Sequence, residues 1–474
     1  MRRLPAVAAL LGALTLLPPA LVSAAPAAPA TPIAAATPAP TFAFEQFALP
    51  NGIRVVLHVD KALPNVFVDI AYQVGSRHEV KGRTGFAHLV EHLMFMGTKR
   101  VPNGEFDAKM ELVGGYNNAW TSNDFTNYWE TGPTGSLDLL LYLEADRMRD
   151  LGTSITQEKL DIQRDVVKNE RRQSYENRPY GKASLLQEER LFPVGHPYHH
   201  PVIGSHADLE AASVRDVQEF FATWYDPANA VLSVSGDFDT KAARATIEKY
   251  FSTIPSRGKP KSPDLPPPVV LEKNVREVVV DDVELTQVTY AYHAPARGSD
   301  GDAVCDLLAT ALGEGKGSRL EERLVVKDKL AQSVAVEEDS RVAGSVFAIT
   351  VQLKSGASLE KVEKILDEEI AKLVKSGLTD AELARAKALV ETRFIGDLEA
   401  LRQRGTAFSL WTQLYGSPDH AAAELGRHQK VDGASALGVA KQVFGGKRVE
   451  MIVTPKVAPP AAPAVVKPVK KGGK

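Results

Sequence analysis

Three side chains suited to metal binding and proton transfer lie within five consecutive positions, His88-Leu89-Val90-Glu91-His92. On a helix, positions i, i+3 and i+4 lie on one face, so both imidazoles and the carboxylate would project together. Two neutral imidazoles at this spacing suit Zn²⁺, and a carboxylate that is not a ligand can take a proton from water. The segment therefore predicts a zinc site, although an amphipathic helix with solvent-facing His and Glu would have the same pattern.

A catalytic zinc site also needs a third protein ligand and an open position for water. The chain has one cysteine, Cys305, which excludes an internal disulfide framework and a cysteine-rich metal site. The third ligand must then be a His, Asp or Glu. A charged helix predicted over residues 156–175 offers Asp165 and Glu170, and spacing alone does not choose between them. An ordinary exposed helix fits the same periodicity.

The elements that must position these residues follow from apolar periodicity and turn residues. The pair Asn51-Gly52 predicts a hairpin turn between two strands. The predicted strands of the first half are residues 44–49, 53–59, 66–74, 118–131 and 230–236. The predicted helices of this half are residues 83–96, 106–112, 136–150 and 156–175.

A stretch rich in Lys, Pro and Ser, residues 256–268, predicts an interdomain linker, after which a similar order of elements begins again. The predicted elements of the second half are strands at 275–280, 287–293 and 449–453 and helices at 302–312, 359–376 and 379–394. This repetition predicts an α+β protein with two homologous α/β halves, residues 42–255 and 269–455. Each half is expected to be a mainly antiparallel sheet packed with helices.

The N-terminal residues predict export. Residues 1–25 have the features of a signal peptide: an arginine pair, an apolar stretch and small residues before the cleavage point. The apolar stretch is too short and too interrupted by proline to span a bilayer. We therefore expect a periplasmic or secreted protein with no membrane span after signal cleavage. Residues 26–41 predict an Ala/Pro-rich tether, and residues 456–474 a disordered tail.

The chain resembles the pitrilysin/insulinase family of zinc metallopeptidases, the inverzincins, and most of all its short, processing-peptidase-like bacterial members. The matching stretches are residues 49–52, 75–79, 85–98, 114–126 and 164–171. Weaker similarity continues through residues 230–237 and 313–334, so the resemblance covers nearly all of the mature chain.

The resemblance implies one zinc ion per chain, with His88, His92 and Glu170 as its ligands. It also implies that Glu91 is the general base that takes a proton from water and later hands it to the leaving amine. Two nitrogens, one oxygen and one water would make a four-coordinate open site.

The family also binds its substrate as an added β-strand, here along Asn118-Ala119-Trp120, a backbone-driven mode that predicts broad selectivity. Many relatives have a Glu seven residues before the third ligand, where this chain has Gln163. We expect Gln163 to face the metal region without being a ligand, where an amide cannot raise ligand basicity as a carboxylate can.

A second departure lies in the C-terminal half. Complete family members have an Arg and a Tyr there that meet the oxyanion and the substrate, whereas the matching positions here are Val325 and Gln332. Loss of oxyanion donors typically costs a factor of about 10² or more in rate. We therefore expect a heterodimer in which a homologous subunit supplies the Arg and Tyr.

These observations predict a zinc-dependent endopeptidase that hydrolyses peptides or unfolded polypeptide segments. The alternatives are a catalytically silent structural or partner subunit of a heterodimer, and a zinc-buffering protein, for which a third His ligand would be expected. The formal net charge of -3 gives no electrostatic basis for binding nucleic acid.

Two further motifs are interpreted as loops. His196, His199 and His200 resemble a second metal cluster, but the family has a loop at this position. Residues 313–318 are rich in glycine, but they lack the Gly-Lys-Ser/Thr ending of a phosphate-binding loop and follow a predicted helix rather than a strand.

Overall fold

The computed structural model describes residues 38–456. The predicted signal peptide, most of the predicted tether and nearly all of the predicted tail lie outside these residues. In the part of the chain that is described, no helix is both long enough and apolar enough to cross a bilayer.

The first half contains a six-stranded sheet with the strand order β1-β2-β6-β3-β5-β4. Its strands are β1 (Glu45–Ala48), β2 (Arg54–Val59), β3 (Asn65–Tyr72), β4 (Tyr116–Thr121), β5 (Thr126–Pro133) and β6 (Ala230–Gly236). Neighbouring strands are antiparallel except β2 and β6, which are parallel. Strands β1 and β4 form the two edges.

The second half contains a five-stranded sheet with the order β7-β11-β8-β10-β9. Its strands are β7 (Val275–Asp281), β8 (Gln287–Ala294), β9 (Ala331–Asp339), β10 (Ser345–Leu353) and β11 (Val449–Pro455). Only β7 and β11 are parallel. This is the pairing pattern of β2-β6-β3-β5-β4, so the predicted fold class with two similar halves is confirmed.

Fourteen helices surround the sheets in the described residues. They are α1 (Phe86–Leu93), α2 (Glu105–Leu112), α3 (Leu137–Ser154), α4 (Gln157–Arg171), α5 (Gly181–Leu191), α6 (His206–Ala211), α7 (Val214–Trp224), α8 (Thr240–Phe251), α9 (Asp300–Gly313), α10 (Leu359–Ser376), α11 (Asp380–Glu399), α12 (Leu401–Tyr415), α13 (Ala421–Gln429) and α14 (Gly433–Phe444). A π-helical turn, Arg172–Glu176, follows α4. Residues 256–268, the predicted linker, contain no helix or strand.

The single strand predicted over residues 118–131 is wrong. The chain turns between β4 and β5, because the Ser122 hydroxyl accepts hydrogen bonds from the backbone N–H groups of Asp124 and Phe125 at 3.2 and 3.0 Å. This turn chemistry of serine interrupts a segment whose composition otherwise favours an extended chain. The result is a hairpin with β4 at the edge of the sheet.

Each half provides one helix to the sheet of the other half. Helix α5 packs on β7, β8 and β11, and helix α12 packs on β2, β3 and β6. The contact of α12 is partly polar, since the buried Asp69 of β3 accepts hydrogen bonds from Thr406 and Ser409. The Arg341 guanidinium also pairs with Glu188 at 2.7 Å across the halves. These contacts join the two halves.

Candidate metal centre

Helix α1 presents the candidate residues on one side and packs its other side into the core. Phe86, Leu89, Val90 and Leu93 are buried, whereas the imidazoles and Glu91 are only partly buried. The helix begins after Gly85, whose φ of 88° favours glycine. The sequence predicted a helix over residues 83–96, and the structure shortens it to the eight residues that carry the motif.

Helix α4 lies against α1 and brings Glu170 to the two imidazoles. The Glu170 Oε2 atom lies 3.7 Å from His88 Nε2 and 3.2 Å from His92 Nε2. Within residues 38–456, these three form the only group of His, Cys, Asp or Glu side chains close enough to hold one metal ion. Asp165, the other candidate for the third ligand, has a side chain that is 75% exposed and lies 3.9 Å from Lys168 Nζ. The structure thus brings together the predicted trio and leaves Asp165 outside it.

The spacing of the three donor atoms fits a tetrahedral cation. With metal–ligand bonds of roughly 2.0–2.1 Å, the edge of a zinc tetrahedron is about 3.3 Å. The two nitrogen–oxygen distances of 3.2 and 3.7 Å lie on either side of that length. Two nitrogens and one oxygen also leave the fourth corner open, as a catalytic site requires. The residues present therefore fit a divalent ion such as zinc.

The electrostatics of the trio favour a cation. Burial lowers the pKa of His88 to about 4, so its ring is neutral near pH 7 and can offer a lone pair. Burial is the largest single effect on the pKa of His92 and lowers it, but the hydrogen bond to Glu170, the charges of Glu91 and Glu170 and the hydrogen bond to Gln163 together make the net shift upward. The same hydrogen bond holds the pKa of Glu170 below its usual value, so this carboxylate is ionised.

Glu91 lies beside the trio without belonging to it. Thr121 Oγ1 on β4 donates a hydrogen bond to Glu91 Oε2 at 2.5 Å. Burial raises the pKa of Glu91 to about 7, with the Thr121 hydrogen bond opposing the shift. A carboxyl group with such a pKa can take and release a proton near neutral pH. The sequence analysis missed Thr121, whose only signal was its place two residues after Ala119 on the same strand face.

Gln163 lies beside His92, one of the three residues of the trio. Its Nε2 donates to Met96 Sδ at 2.8 Å, and its side chain also hydrogen-bonds His92. The Nδ1 atom of His88 is buried and has no hydrogen-bond partner among the described residues. Among the described residues, the polar neighbour of the His88 ring is therefore Glu170 on the Nε2 side.

The predicted substrate strand, Asn118-Ala119-Trp120, lies on the edge strand β4. The hydrogen bond from Ser122 N to Phe125 O closes the hairpin, and in an antiparallel pair every second residue of a strand hydrogen-bonds its neighbour. Ala119 is one of the alternate residues, so its backbone N–H and C=O point away from β5. The Ala119 N–H is accordingly bonded to the exposed Asn118 Oδ1 at 2.8 Å. The edge next to Glu91 is therefore open to another extended chain.

The other sequence candidates are not brought together around a metal. His196 Nδ1 accepts a hydrogen bond from the backbone N–H of Tyr198, and His199 Nδ1 is hydrogen-bonded to Phe192 O. His200 Nδ1 lies 3.4 Å from the carbonyl oxygen of Pro201, the next residue. These histidines organise the loop after α5.

The remaining candidates lie in the second half. Residues 314–318 form the loop after α9, and Gly313 is the last residue of that helix. Val325 packs against the apolar core of this half, and Gln332 is exposed on β9.

Comparison with known protein families gives two matches along the chain. The model of the insulinase family (peptidase family M16) matches residues 54–190, which include the candidate metal centre. The model of the peptidase M16 inactive domain matches residues 211–390.

Individual proteins agree with these matches. The zinc protease PqqE of Helicobacter pylori is 32% identical over 362 residues, which are 75% of this chain and 80% of that protein. A probable mitochondrial-processing peptidase subunit beta of Arabidopsis thaliana is 21% identical over 84% of this chain and 76% of its own. The crystal structure of a protease from Helicobacter pylori superposes with a TM-score of 0.81 at 29% identity, covering 87% of this chain and 100% of that one.

Proposed function

Because this chain belongs to the insulinase family of peptidases (M16), we propose that it is a zinc-dependent endopeptidase. In this proposal, His88, His92 and Glu170 hold one zinc ion and Glu91 is the general base. The substrates are peptides or unfolded polypeptide segments. The observation that carries the proposal is the convergence of two imidazole nitrogens and one carboxylate oxygen at tetrahedral spacing, next to a carboxyl group that is not one of the three.

In peptide hydrolysis at this site, the zinc ion, Glu91 and Thr121 would have different roles. A bound zinc ion supplies Lewis acidity, which makes a water more acidic and a peptide carbonyl more electrophilic. Glu91 removes a proton from the attacking water and returns it to the amine that leaves. Thr121 holds the Glu91 carboxyl at one oxygen and leaves the other free for this transfer.

Strand β4 would bind the substrate as an additional strand. The outward polar groups of Ala119 can hydrogen-bond an extended peptide, while the Asn118 side chain covers the Ala119 N–H until the peptide displaces it. Since Thr121 lies on the same strand as Ala119 and contacts Glu91, a peptide on this edge passes the general base. Backbone recognition favours broad selectivity among extended chains.

The proposal includes a partner and a compartment. Val325 has no side-chain hydrogen-bond donor, and the Gln332 amide has neither the positive charge of Arg nor the phenol of Tyr, so a homologous subunit is expected to provide Arg and Tyr in a heterodimer. The signal-peptide features of residues 1–25 indicate the periplasm or secretion.

Metal analysis and a cleavage assay test the proposal together. The purified chain should contain one zinc per molecule and cleave a quenched peptide library, alone or with a co-expressed homologous subunit. Glu91→Gln should retain zinc and lose cleavage by a factor of about 10² to 10⁴, since general base catalysis contributes that much. Absence of bound zinc in the wild-type chain would overturn the metal site.

Val325 and Gln332 favour one alternative, a catalytically silent partner subunit. In that case the wild-type chain and Glu91→Gln would bind zinc equally, and neither would cleave the library with or without the homologous subunit. A difference in cleavage between the two proteins excludes this alternative.

A further inference from the structure

Helix α1 has an unusual N-terminus for a helix that must hold two metal ligands. It has only eight residues, and Gly85 at its N-cap offers no side chain to satisfy the free N–H groups of the first turn. His88 is the third residue of the helix, so it belongs to the turn that loosens first. Its ring also lacks a polar partner at Nδ1 among the described residues.

A carboxyl group from outside the helix occupies this N-terminus. Glu79 Oε2 accepts a hydrogen bond from the Gly85 N–H, and Glu79 Oε1 accepts one from the Ala87 N–H, both at 2.8 Å. The Glu79 side chain is completely buried. Burial raises the pKa of Glu79 to about 8, with the hydrogen bonds from the Ala87 and Gly85 N–H groups opposing the shift. Glu79 thus fixes the backbone of the residue immediately before His88.

The same N-terminus is packed against a loop that reaches the other ligand-bearing helix. A Cβ atom on Gly204 would lie 2.4 Å from the Thr84 carbonyl oxygen and 2.5 Å from Gly85 Cα, so the loop contacts the start of α1 directly. Arg171 at the end of α4 donates a hydrogen bond from Nη1 to the Gly204 carbonyl oxygen at 2.6 Å. The loop therefore connects the turn that contains His88 with the residue next to Glu170.

We infer that Glu79 and Arg171 are positioning residues of the metal centre: through the α1 N-terminus and Gly204 they set the distance between His88 and Glu170. This inference rests on the proposed zinc site. Neither residue touches the metal or the substrate. Their role is to hold two short helix ends in register so that three donor atoms meet at one point.

Zinc affinity of the intact chain, measured by competition with a chromophoric chelator, tests this role for Glu79. Glu79→Gln should raise the zinc Kd by about 10- to 100-fold, the range typical of groups that orient metal ligands. The amide can accept only one of the two N–H bonds. Glu79→Asp should raise the zinc Kd at least as much as Glu79→Gln, because its carboxyl group is one methylene short of both N–H groups.

The matched control is Asp239→Ala. Asp239 caps α8 by accepting a hydrogen bond from Ala242 N at 2.8 Å, and α8 packs on α3 rather than on α1 or α4. Both Asp239→Ala and Glu79→Gln should lower the melting temperature, but Asp239→Ala should leave the zinc Kd within about twofold of wild type. An unchanged zinc Kd in Glu79→Gln would overturn the inference.

Arg171→Gln separates positioning from simple electrostatics. Removal of a positive charge beside Glu170 should tighten cation binding if charge alone matters. Loss of the contact to Gly204 should weaken it, and we expect the zinc Kd to rise several-fold. If Glu79→Gln does not fold, Arg171→Gln decides the question by the sign of its effect. A wild-type chain that binds no zinc would instead contradict the proposed function.

Discussion

The two halves share one strand arrangement, but in the described residues the candidate metal centre lies in the first half. In the first half α1 lies against the edge strand β4 and against α4, and in the second half α9 lies against the edge strand β9 and against α11. Helix α1 has a polar side with histidines that meet one carboxylate. Helix α9 has 14 residues, ten of them buried, and no histidine.

Two of the three acidic groups of α9, Asp302 and Asp306, have cationic partners inside the protein. Asp302 accepts a hydrogen bond from Arg427 Nη1 at 2.6 Å, and Asp306 pairs with Arg393 at 2.9 Å and with His428 at 3.1 Å. In the first half the equivalent space holds two imidazoles and Glu170 with a free corner. The same arrangement of strands and helices can therefore hold a candidate metal centre or not. What decides is whether the acidic groups beside the helix are already paired with cations of the protein.

The largest expected effect tests which half binds metal. His88→Ala removes one of three ligands, which should raise the zinc Kd by a factor on the order of 10² to 10³ if the affinity is shared among the ligands. His428→Ala in the second half should leave the zinc Kd unchanged. Chelator competition measures both, and equal losses in the two variants would contradict the contrast between the halves.

The next largest effect is expected when the ion pair between Arg427 and Asp302 in the second half is removed. Arg427→Met should lower the free energy of unfolding by about 3 kcal/mol, because it leaves the buried Asp302 without its cation. Arg215→Met, which removes an exposed pair with Glu219, should cost less than about 1 kcal/mol. Denaturant titration measures both changes. The zinc Kd of both variants should equal that of the wild type.

This contrast also explains which features could be predicted from the sequence. His88, Glu91 and His92 were visible because a helix brings neighbours at i, i+3 and i+4 to one face. The similar order of strands in the two halves predicted the fold class, since apolar alternation and turn residues are local signals. Glu170 could be selected only through the family resemblance, because its spacing fits an exposed helix equally well.

Features that depend on distant contacts were missed. Glu79 and Thr121 reach α1 from other elements, and the stretches of family resemblance that contain them, residues 75–79 and 114–126, do not show which contacts they make. The exchange of α5 and α12 between the two sheets depends on complementary surfaces far apart in the chain. The β4–β5 hairpin was missed because the turn depends on one serine hydroxyl.

A third prediction concerns pH, where one buried histidine in each half should affect stability with opposite sign. Burial lowers the pKa of His78 in the first half to about 3, so His78 is neutral when folded and titrates near 6.5 when unfolded. The unfolded chain therefore binds more protons below pH 6.5, and folding stability falls by about 1.4 kcal/mol per pH unit as the pH drops.

His428 in the second half behaves in the opposite way. Burial is the largest single effect and lowers its pKa, but the hydrogen bonds to Asp306 and to the Glu424 backbone, with the charges of these two residues, together raise the pKa. Its contribution to stability is complete below pH 6.5 and is lost as the pH rises through the folded pKa. Unfolding free energies at pH 5 and 7 check both effects. His78→Gln should reduce the loss between pH 7 and pH 5 by about 2 kcal/mol, whereas His428→Gln should increase it.

The smallest effect compares the two edges of the first sheet. Ala119→Pro on β4 removes an N–H that points away from the sheet, which an edge strand tolerates without losing a ladder hydrogen bond. If substrates add to this edge, the loss of one backbone hydrogen bond, about 1 kcal/mol, should lower kcat/KM roughly fivefold.

The control for this prediction is the same substitution on the opposite edge. Ala48 on β1 pairs with Arg54, and the adjacent hydrogen bond from Leu49 N to Ile53 O means that the Ala48 N–H also points outward. Ala48→Pro should therefore match Ala119→Pro in stability but leave kcat/KM unchanged. Equal activities of the two variants would show that the substrate does not use the Ala119 N–H. A loss confined to Ala119→Pro would place the extended peptide on the edge beside Glu91, because only that edge lies within reach of the general base.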